Sequence, residues 1–167
     1  MKLIVKVIFG VLFLGVGLIF FTGCSKELEK EEKKHLMLNV KQGEDMVIDS
    51  SIISDVATYY NYEIDDYIIQ MFVVKGTDGK VRILFNTCGS CNPSPLSYFI
   101  QKGDYFECQN CLNKFHINEI GLSKSFGCSP IAILEENKIY DGENIIIKSE
   151  FIEKYKEKFK TIDIVRI

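Results

Sequence analysis

The sequence predicts a mainly β protein, a β-rich α+β chain built as a small antiparallel sheet or barrel with one C-terminal helix. Three observations carry this expectation. Short apolar or alternating runs of strand length recur along the chain, Gly- and Asp-containing turns separate them, and many of the apolar residues are Ile, Val, Tyr and Phe. Such residues suit a pleated, half-buried surface better than a helix. The 167 residues are enough for one domain once a distinctive N-terminus is set aside.

The strand-like runs come first at 36–40 and 46–48, then at 57–64 and 67–75. Gly76-Thr77-Asp78-Gly79-Lys80 forms a turn into 81–86, so these last two runs predict a hairpin. A second hairpin joins 98–101 to 105–107 across Lys102-Gly103-Asp104, and a third joins 131–140 to 144–148 across Asp141-Gly142-Glu143. Ser149 is placed to cap a helix over 150–160. Its apolar residues Phe151, Ile152, Tyr155 and Phe159 fall on one face.

The first 23 residues have the composition of an address. Lys2 and Lys6 precede or interrupt a run over 7–21 that holds no charged or strongly polar side chain. That run is about 15 residues, short of the roughly 20 that a spanning helix needs. A basic start, a short apolar stretch and small residues before a cut site describe a secretory signal. Phe21-Thr22-Gly23-Cys24 resembles the lipobox of bacterial lipoproteins, with Phe21 where such boxes usually carry Leu. The resemblance implies cleavage before Cys24 and a lipid on its thiol. The alternative is an uncleaved membrane anchor, and either places the remaining chain outside the cytoplasm. Residues 25–35 are almost entirely charged or polar and predict a solvated tether, with His35 a surface residue. The expected organisation is therefore 1–23 signal peptide, 24–35 lipidated cysteine and tether, and 36–167 one β-rich domain. The formal net charge is −3, which gives no basic face for nucleic acid.

Five of the six cysteines lie between positions 88 and 128. Cys88-Gly-Ser-Cys91 and Cys108-Gln-Asn-Cys111 are 16 residues apart, and Cys128 follows alone. Two residues between cysteines let a tight turn aim both sulfurs at one point, so two such turns supply the four thiolates of a metal site or small cluster. The spacing is that of paired metal knuckles. Asn92 and Leu112 stand where covalent haem attachment would require His. Structural disulfides are the competing reading in an exported chain, although five cysteines leave one unpaired. Cys128, in the loop Ser125-Phe-Gly-Cys-Ser-Pro130, either brings a fifth sulfur to the site or is a buried free thiol. His116 reads first as a half-buried strand residue and second as a ligand or second donor.

From about residue 59 to 148 the chain resembles the bacterial membrane iron–sulfur proteins called FtrD-like. The resemblance rests on Phe72-Val-Val, Asp78-Gly-Lys, Phe85-Asn-Thr-Cys88 with Cys91, Gly103-Asp-Tyr, Cys108-Gln-Asn-Cys111, Ile120-Gly and Gly127-Cys128-Ser-Pro130. The family usually carries Asp-Ala before its first cysteine and Gly-Gly-Cys-Asn-Pro at its last. Here Asn86-Thr87 and Phe126-Gly127-Cys128-Ser129-Pro130 stand instead. Many relatives place the domain behind transmembrane helices. What the resemblance implies is an iron–sulfur or related thiolate iron centre in extracytoplasmic electron transfer, beside an iron-uptake system. A weaker similarity of layout is to Rieske-type domains, which also set two ligand loops between strands.

The resulting expectation is a lipid-anchored electron carrier rather than a stand-alone enzyme, with a membrane redox or transport protein as partner. Cys88, Cys91, Cys108 and Cys111 are the expected metal ligands and Cys128 a fifth thiol beside them. Two rivals remain open: a zinc-clamped binding module, and a thiol–disulfide oxidoreductase using the CxxC pairs.

Overall fold

Residues 35–122 and 127–162 are described by the computed structural model. The signal segment, Cys24, tether residues 25–34, and Ser125 and Phe126 of the last cysteine loop lie outside them. The first strands are β1 (Leu36–Lys41), β2 (Met46–Asp49), β3 (Thr58–Ile64), β4 (Tyr67–Lys75) and β5 (Val81–Cys88). Next come β6 (Phe99–Lys102), β7 (Tyr105–Cys108) and β8 (Lys114–His116). The last are β9 (Pro130–Ala132), β10 (Ile139–Asp141) and β11 (Asn144–Ile147), followed by the short helix α1 (Ser149–Glu153). They form a five-stranded sheet in the order β1-β3-β4-β5-β9 and two three-stranded sheets, β10-β11-β2 and β6-β7-β8. The mainly β class and the small antiparallel sheets agree with the sequence expectation.

The strand period of two divides the central sheet's apolar residues between two cores. Tyr60, Tyr62, Ile64, Ile69, Met71, Val73, Ile83 and Phe85 pack on one side against Met46, Ile48, Ile145 and Ile147, and against Ile152 and Phe159 beyond β11. Tyr59, Phe72, Val74 and Leu84 pack on the other against Phe99, Phe106, Ile117 and Ile120. The near-continuous apolar character of 67–75 and 81–86 follows from this double burial. Phe72 stacks on Phe106 with ring centroids 4.5 Å apart, which joins the β6-β7-β8 sheet to the centre.

Local expectations are corrected at four points. First, β1 pairs parallel to β3, from Leu36 opposite Thr58 to Lys41 opposite Glu63, because β2 crosses to another sheet between them. Second, the run 131–140 is two strands, broken by a 3-10 turn at Glu135–Asn137. Glu135 and Glu136 are exposed there, and a continuous strand would have to bury one of two adjacent carboxylates. Third, the helix over 150–160 is a short α-helix followed by a 3-10 turn at Lys156–Lys158. Ser149 is its first residue rather than its cap, and the Asp45 carboxylate accepts from the Ser149 amide at 3.0 Å. The apolar face still forms as expected: Tyr155 stacks on Phe85 at 4.1 Å, and Phe159 is buried. His35, expected on the surface, is half-buried, with Nδ1 3.1 Å from the Ala57 carbonyl.

A line of amides, exposed at Asn39 and buried at Asn61, Gln70 and Asn86, crosses the central sheet. Asn61 Nδ2 donates to Asn39 Oδ1 (3.3 Å), Gln70 Nε2 to Asn61 Oδ1 (2.8 Å) and Asn86 Nδ2 to Gln70 Oε1 (2.7 Å). Asn86 then clamps β6, accepting from the Phe99 amide at 2.8 Å and donating to its carbonyl at 3.2 Å. Each group is satisfied by its neighbour, as burial demands. Asn86→Ala strands three of these partners inside the protein and is expected to cost roughly 3 kcal/mol in urea unfolding. A loss below about 0.5 kcal/mol would show that the line is not under load.

Candidate metal centre

The two CxxC segments fold alike. In the first, the Asn92 amide donates back to the Cys88 carbonyl at 3.1 Å; in the second, the Leu112 amide donates to the Cys108 carbonyl at 2.9 Å. Each segment leaves a strand end, β5 or β7, so its leading cysteine is rooted in the sheet and its trailing cysteine turns outward. Cys88 and Cys108 are accordingly fully buried, while Cys91 and Cys111 are half-exposed. Leu112 pays for the tight exit with a left-handed φ of 60°. Ser94 Oγ donates to Asn110 Oδ1 at 2.7 Å and ties the two segments together.

The third loop reaches the same place from β9, which pairs antiparallel with β5 and sets Cys88 opposite Pro130. The Gly89 amide donates to the Ser129 carbonyl at 3.3 Å, and the Cys88 thiol donates to the Cys128 carbonyl at 3.2 Å. Close approach requires glycine at 89, because a Cβ there would sit 3.0 Å from the Gly127 carbonyl oxygen. Gly89→Ala is therefore expected to push the Cys128 loop outward and weaken metal retention several-fold in chelator competition, while leaving the β signal in circular dichroism intact. Unchanged retention would mean that the loop yields without moving its thiol.

The sulfurs of Cys88, Cys91, Cys111 and Cys128 all lie within 4.8 Å of one another. Cys108 does not belong to that mutually close set, although its Sγ is 3.9 Å from Cys91 Sγ. All five cysteines expected from the sequence thus gather at one place, and Cys128 is inside the group rather than beside it. His116 is elsewhere: its ring lies edge-on to Tyr105, and its Nδ1 accepts from the Asn118 amide. Sequence reasoning missed the supports. Asn92 Nδ2 bonds the Lys158 carbonyl and Thr161 Oγ1 donates to the Pro93 carbonyl at 2.6 Å, so the segment after α1 holds the first knuckle. No spacing rule signals such contacts.

Burial raises the Cys88 thiol well above its ordinary pKa and pushes Cys108 up to about 11. Cys91 is also desolvated, yet hydrogen bonds from Asn110 and from the neighbouring cysteines outweigh this and lower it. Metal binding requires the thiolate form, so a cation entering this cluster would have to displace the protons of the buried Cys88 and Cys108. The donor set fits a soft thiolate-binding metal. A metal–sulfur bond of about 2.3 Å places tetrahedral ligands about 3.8 Å apart, within reach of the observed cluster.

Fold and site define a β-rich protein with a cluster of cysteines on three loops that fits a thiolate-bound metal. The family model described as membrane iron–sulfur containing protein, FtrD-like, matches residues 52–159, which hold all five cysteines and the strands that carry them. The chain belongs to this family. No curated protein and no solved structure matches it. Among the described residues no helix is long and apolar enough to cross a membrane.

Proposed function

We propose that this protein is an extracytoplasmic electron carrier whose iron centre is held by the clustered cysteines. The single observation that carries the reading is the convergence of four thiols within 4.8 Å at the tips of three loops, in a chain of an iron–sulfur family. Thiolate-bound iron supplies a one-electron couple when present. The chain's own residues shape that couple. Phe99 and Phe106 pack with buried Cys88 and Cys108 and exclude water behind the site. Cys91, Cys111 and Cys128 are half-exposed and form its open side, where an electron partner has access.

In this proposal residues 1–23 are a cleaved signal, a lipid on Cys24 holds the chain at the membrane, 24–35 is the tether and 36–167 the working domain. The partner is a membrane redox or transport protein, and the family resemblance favours one beside an iron-uptake system. The compactness of the sulfurs supports a second reading, a single four-thiolate ion, because bridging sulfides in a cluster spread their ligands. With iron the task is unchanged; with zinc it becomes a structural clamp, since zinc has no redox chemistry.

Anaerobic purification with assays of iron, zinc and acid-labile sulfide, read beside the visible spectrum, tests the proposal. Iron with bands that bleach on reduction is the expected result, and sulfide then distinguishes cluster from single ion. Colourless protein carrying only zinc would end the electron-transfer reading.

A further inference from the structure

The chain segments that carry the clustered cysteines, 88–98, 108–113 and 127–130, hold no carboxylate, ammonium or guanidinium. Two large apolar side chains stand out from this uncharged collar. Leu96, in the loop after the first knuckle, is 47% exposed, and Leu112, directly after Cys111, is 64% exposed. Neither belongs to either core, and the Ser94–Asn110 hydrogen bond joins the two loops that bear them. Leu112 also holds a left-handed φ of 60°, a conformation that glycine adopts without strain. A leucine kept there, exposed and beside the half-exposed Cys111, does little for the fold and is placed for a contact from outside. Beyond the collar the free charge is positive. Glu107, at the border of the second knuckle, is engaged by both Lys102 and Lys114. Beside the first knuckle the Lys158 carbonyl accepts from Asn92 Nδ2, and the Lys158 side chain is exposed, whereas Lys160 is paired with Glu157 at 2.7 Å.

We infer that this collar, with Leu96 and Leu112 standing out of it and Lys102, Lys114 and Lys158 around it, is the docking face for a redox protein that presents an apolar centre within an acidic rim. The inference rests on the electron-carrier reading above and gives its partner a surface chemistry. Burial of the two leucines supplies attraction, and lysine–carboxylate pairs at the rim steer the approach and fix the orientation. A contact of this kind is small and parts readily, as repeated one-electron transfer requires. An anionic bilayer is the competing occupant of a lysine-bordered face. The uncharged opening over Cys91, Cys111 and Cys128 favours a protein, because that is where an electron has to cross.

Ferricyanide, hexaamminecobalt(III) and the apolar anionic dye anilinonaphthalene sulfonate probe the face in the full chain with its metal bound. The reduced centre gives one electron to each complex, turning ferricyanide into ferrocyanide and cobalt(III) into cobalt(II). Relative to the parent, the double variant Lys114→Gln, Lys158→Glu is expected to react several-fold more slowly with ferricyanide and faster with the cobalt complex at about 0.01 M salt, and both differences should vanish near about 1 M. Its iron content should be unchanged. Leu112→Gly should keep its metal, keep or raise the thermal midpoint, and bind the dye several-fold more weakly. Rates that do not respond to the lysine changes overturn the proposal, as does a Leu112→Gly variant that binds dye like the parent or melts at a lower temperature. Attachment to phosphatidylserine vesicles that slows the ferricyanide reaction of the parent but not of the lysine variant would give the face to the membrane instead. Protein that holds no iron would refute the electron-carrier reading itself, a different result, and dye binding by the parent and Leu112→Gly would still decide whether the face takes an apolar anionic surface.

Discussion

Removing the metal from reduced protein with a chelator is expected to lower the thermal midpoint by about 15 °C. A ligand that binds only the folded state stabilises it by about 4 kcal/mol when its free concentration is a thousand times Kd. In a domain of this size each kcal/mol moves the midpoint by roughly 4 °C. The clustered cysteines come from the end of β5, the turn after β7 and the loop before β9, so a metal bound in the proposed centre would link two sheets and three chain segments. The apolar contact between Phe72 and Phe106 survives metal loss, so the stripped protein should unfold cooperatively at the lower midpoint rather than at once. Acid should have the same effect as the chelator. The thiols bind metal only as thiolates, and burial raises those of Cys88 and Cys108, so each proton released on binding is recovered as pH falls. Calorimetry with and without chelator checks this. Equal midpoints would show that the cysteine cluster contributes nothing to stability.

Arg82→Met is expected to cost about 3 kcal/mol, or roughly 10 °C in midpoint. The guanidinium is 1% exposed and makes five hydrogen bonds. Nε reaches the Ile120 carbonyl (2.9 Å), Nη1 the Lys80 carbonyl and Asp78 (both 2.9 Å), and Nη2 the Asn118 carbonyl (3.0 Å) and Asp78 (2.8 Å). It fastens the segment after β8 to the β4–β5 turn. Methionine fills much of the space but leaves those carbonyls without donors. Asp78 reports the same lock: the Arg82 guanidinium holds its carboxyl well below the ordinary value of 3.8. A depressed carboxyl contributes its stability fully above that ordinary value and loses it as pH falls towards the depressed one. Part of the acid sensitivity should therefore disappear in Arg82→Met. Chemical denaturation at neutral and acid pH measures both effects, and a variant within 1 kcal/mol of the parent at neutral pH would refute the lock.

Local patterns were legible in the sequence, and approaches between distant segments were not. The run 67–75 is β4 residue for residue, because alternation and the Asp78-Gly79 turn are local signals. Gathering of the CxxC cysteines was legible for the same reason, since each pair is one turn. The parallel docking of β1 was not, as nothing in 36–41 records that its partner begins 22 residues later at Thr58. Cys128 could be placed only as an optional fifth thiol. Its position depends on β9 meeting β5 and on Gly89 admitting the Gly127 carbonyl, and neither is written near residue 128. The amide line through Gln70 and Asn86 was hidden in the same way, because each residue alone looks like an ordinary polar interruption of a strand.

The pairing of β9 with β5 also has a meaning in time. The β3–β4–β5 and β6–β7 pairs join neighbours in the chain, whereas Ala132 meets Leu84 from 48 residues away and Ile147 meets Met46 from 101. Closing longer loops costs more entropy, and contacts between distant residues form late. Cys91 and Cys111, each on a local turn, are expected to be in place before Cys128, which comes in with β9. A metal taken up by the two CxxC turns would then be held incompletely until that last thiol arrived, and full coordination would mark a chain that has closed correctly.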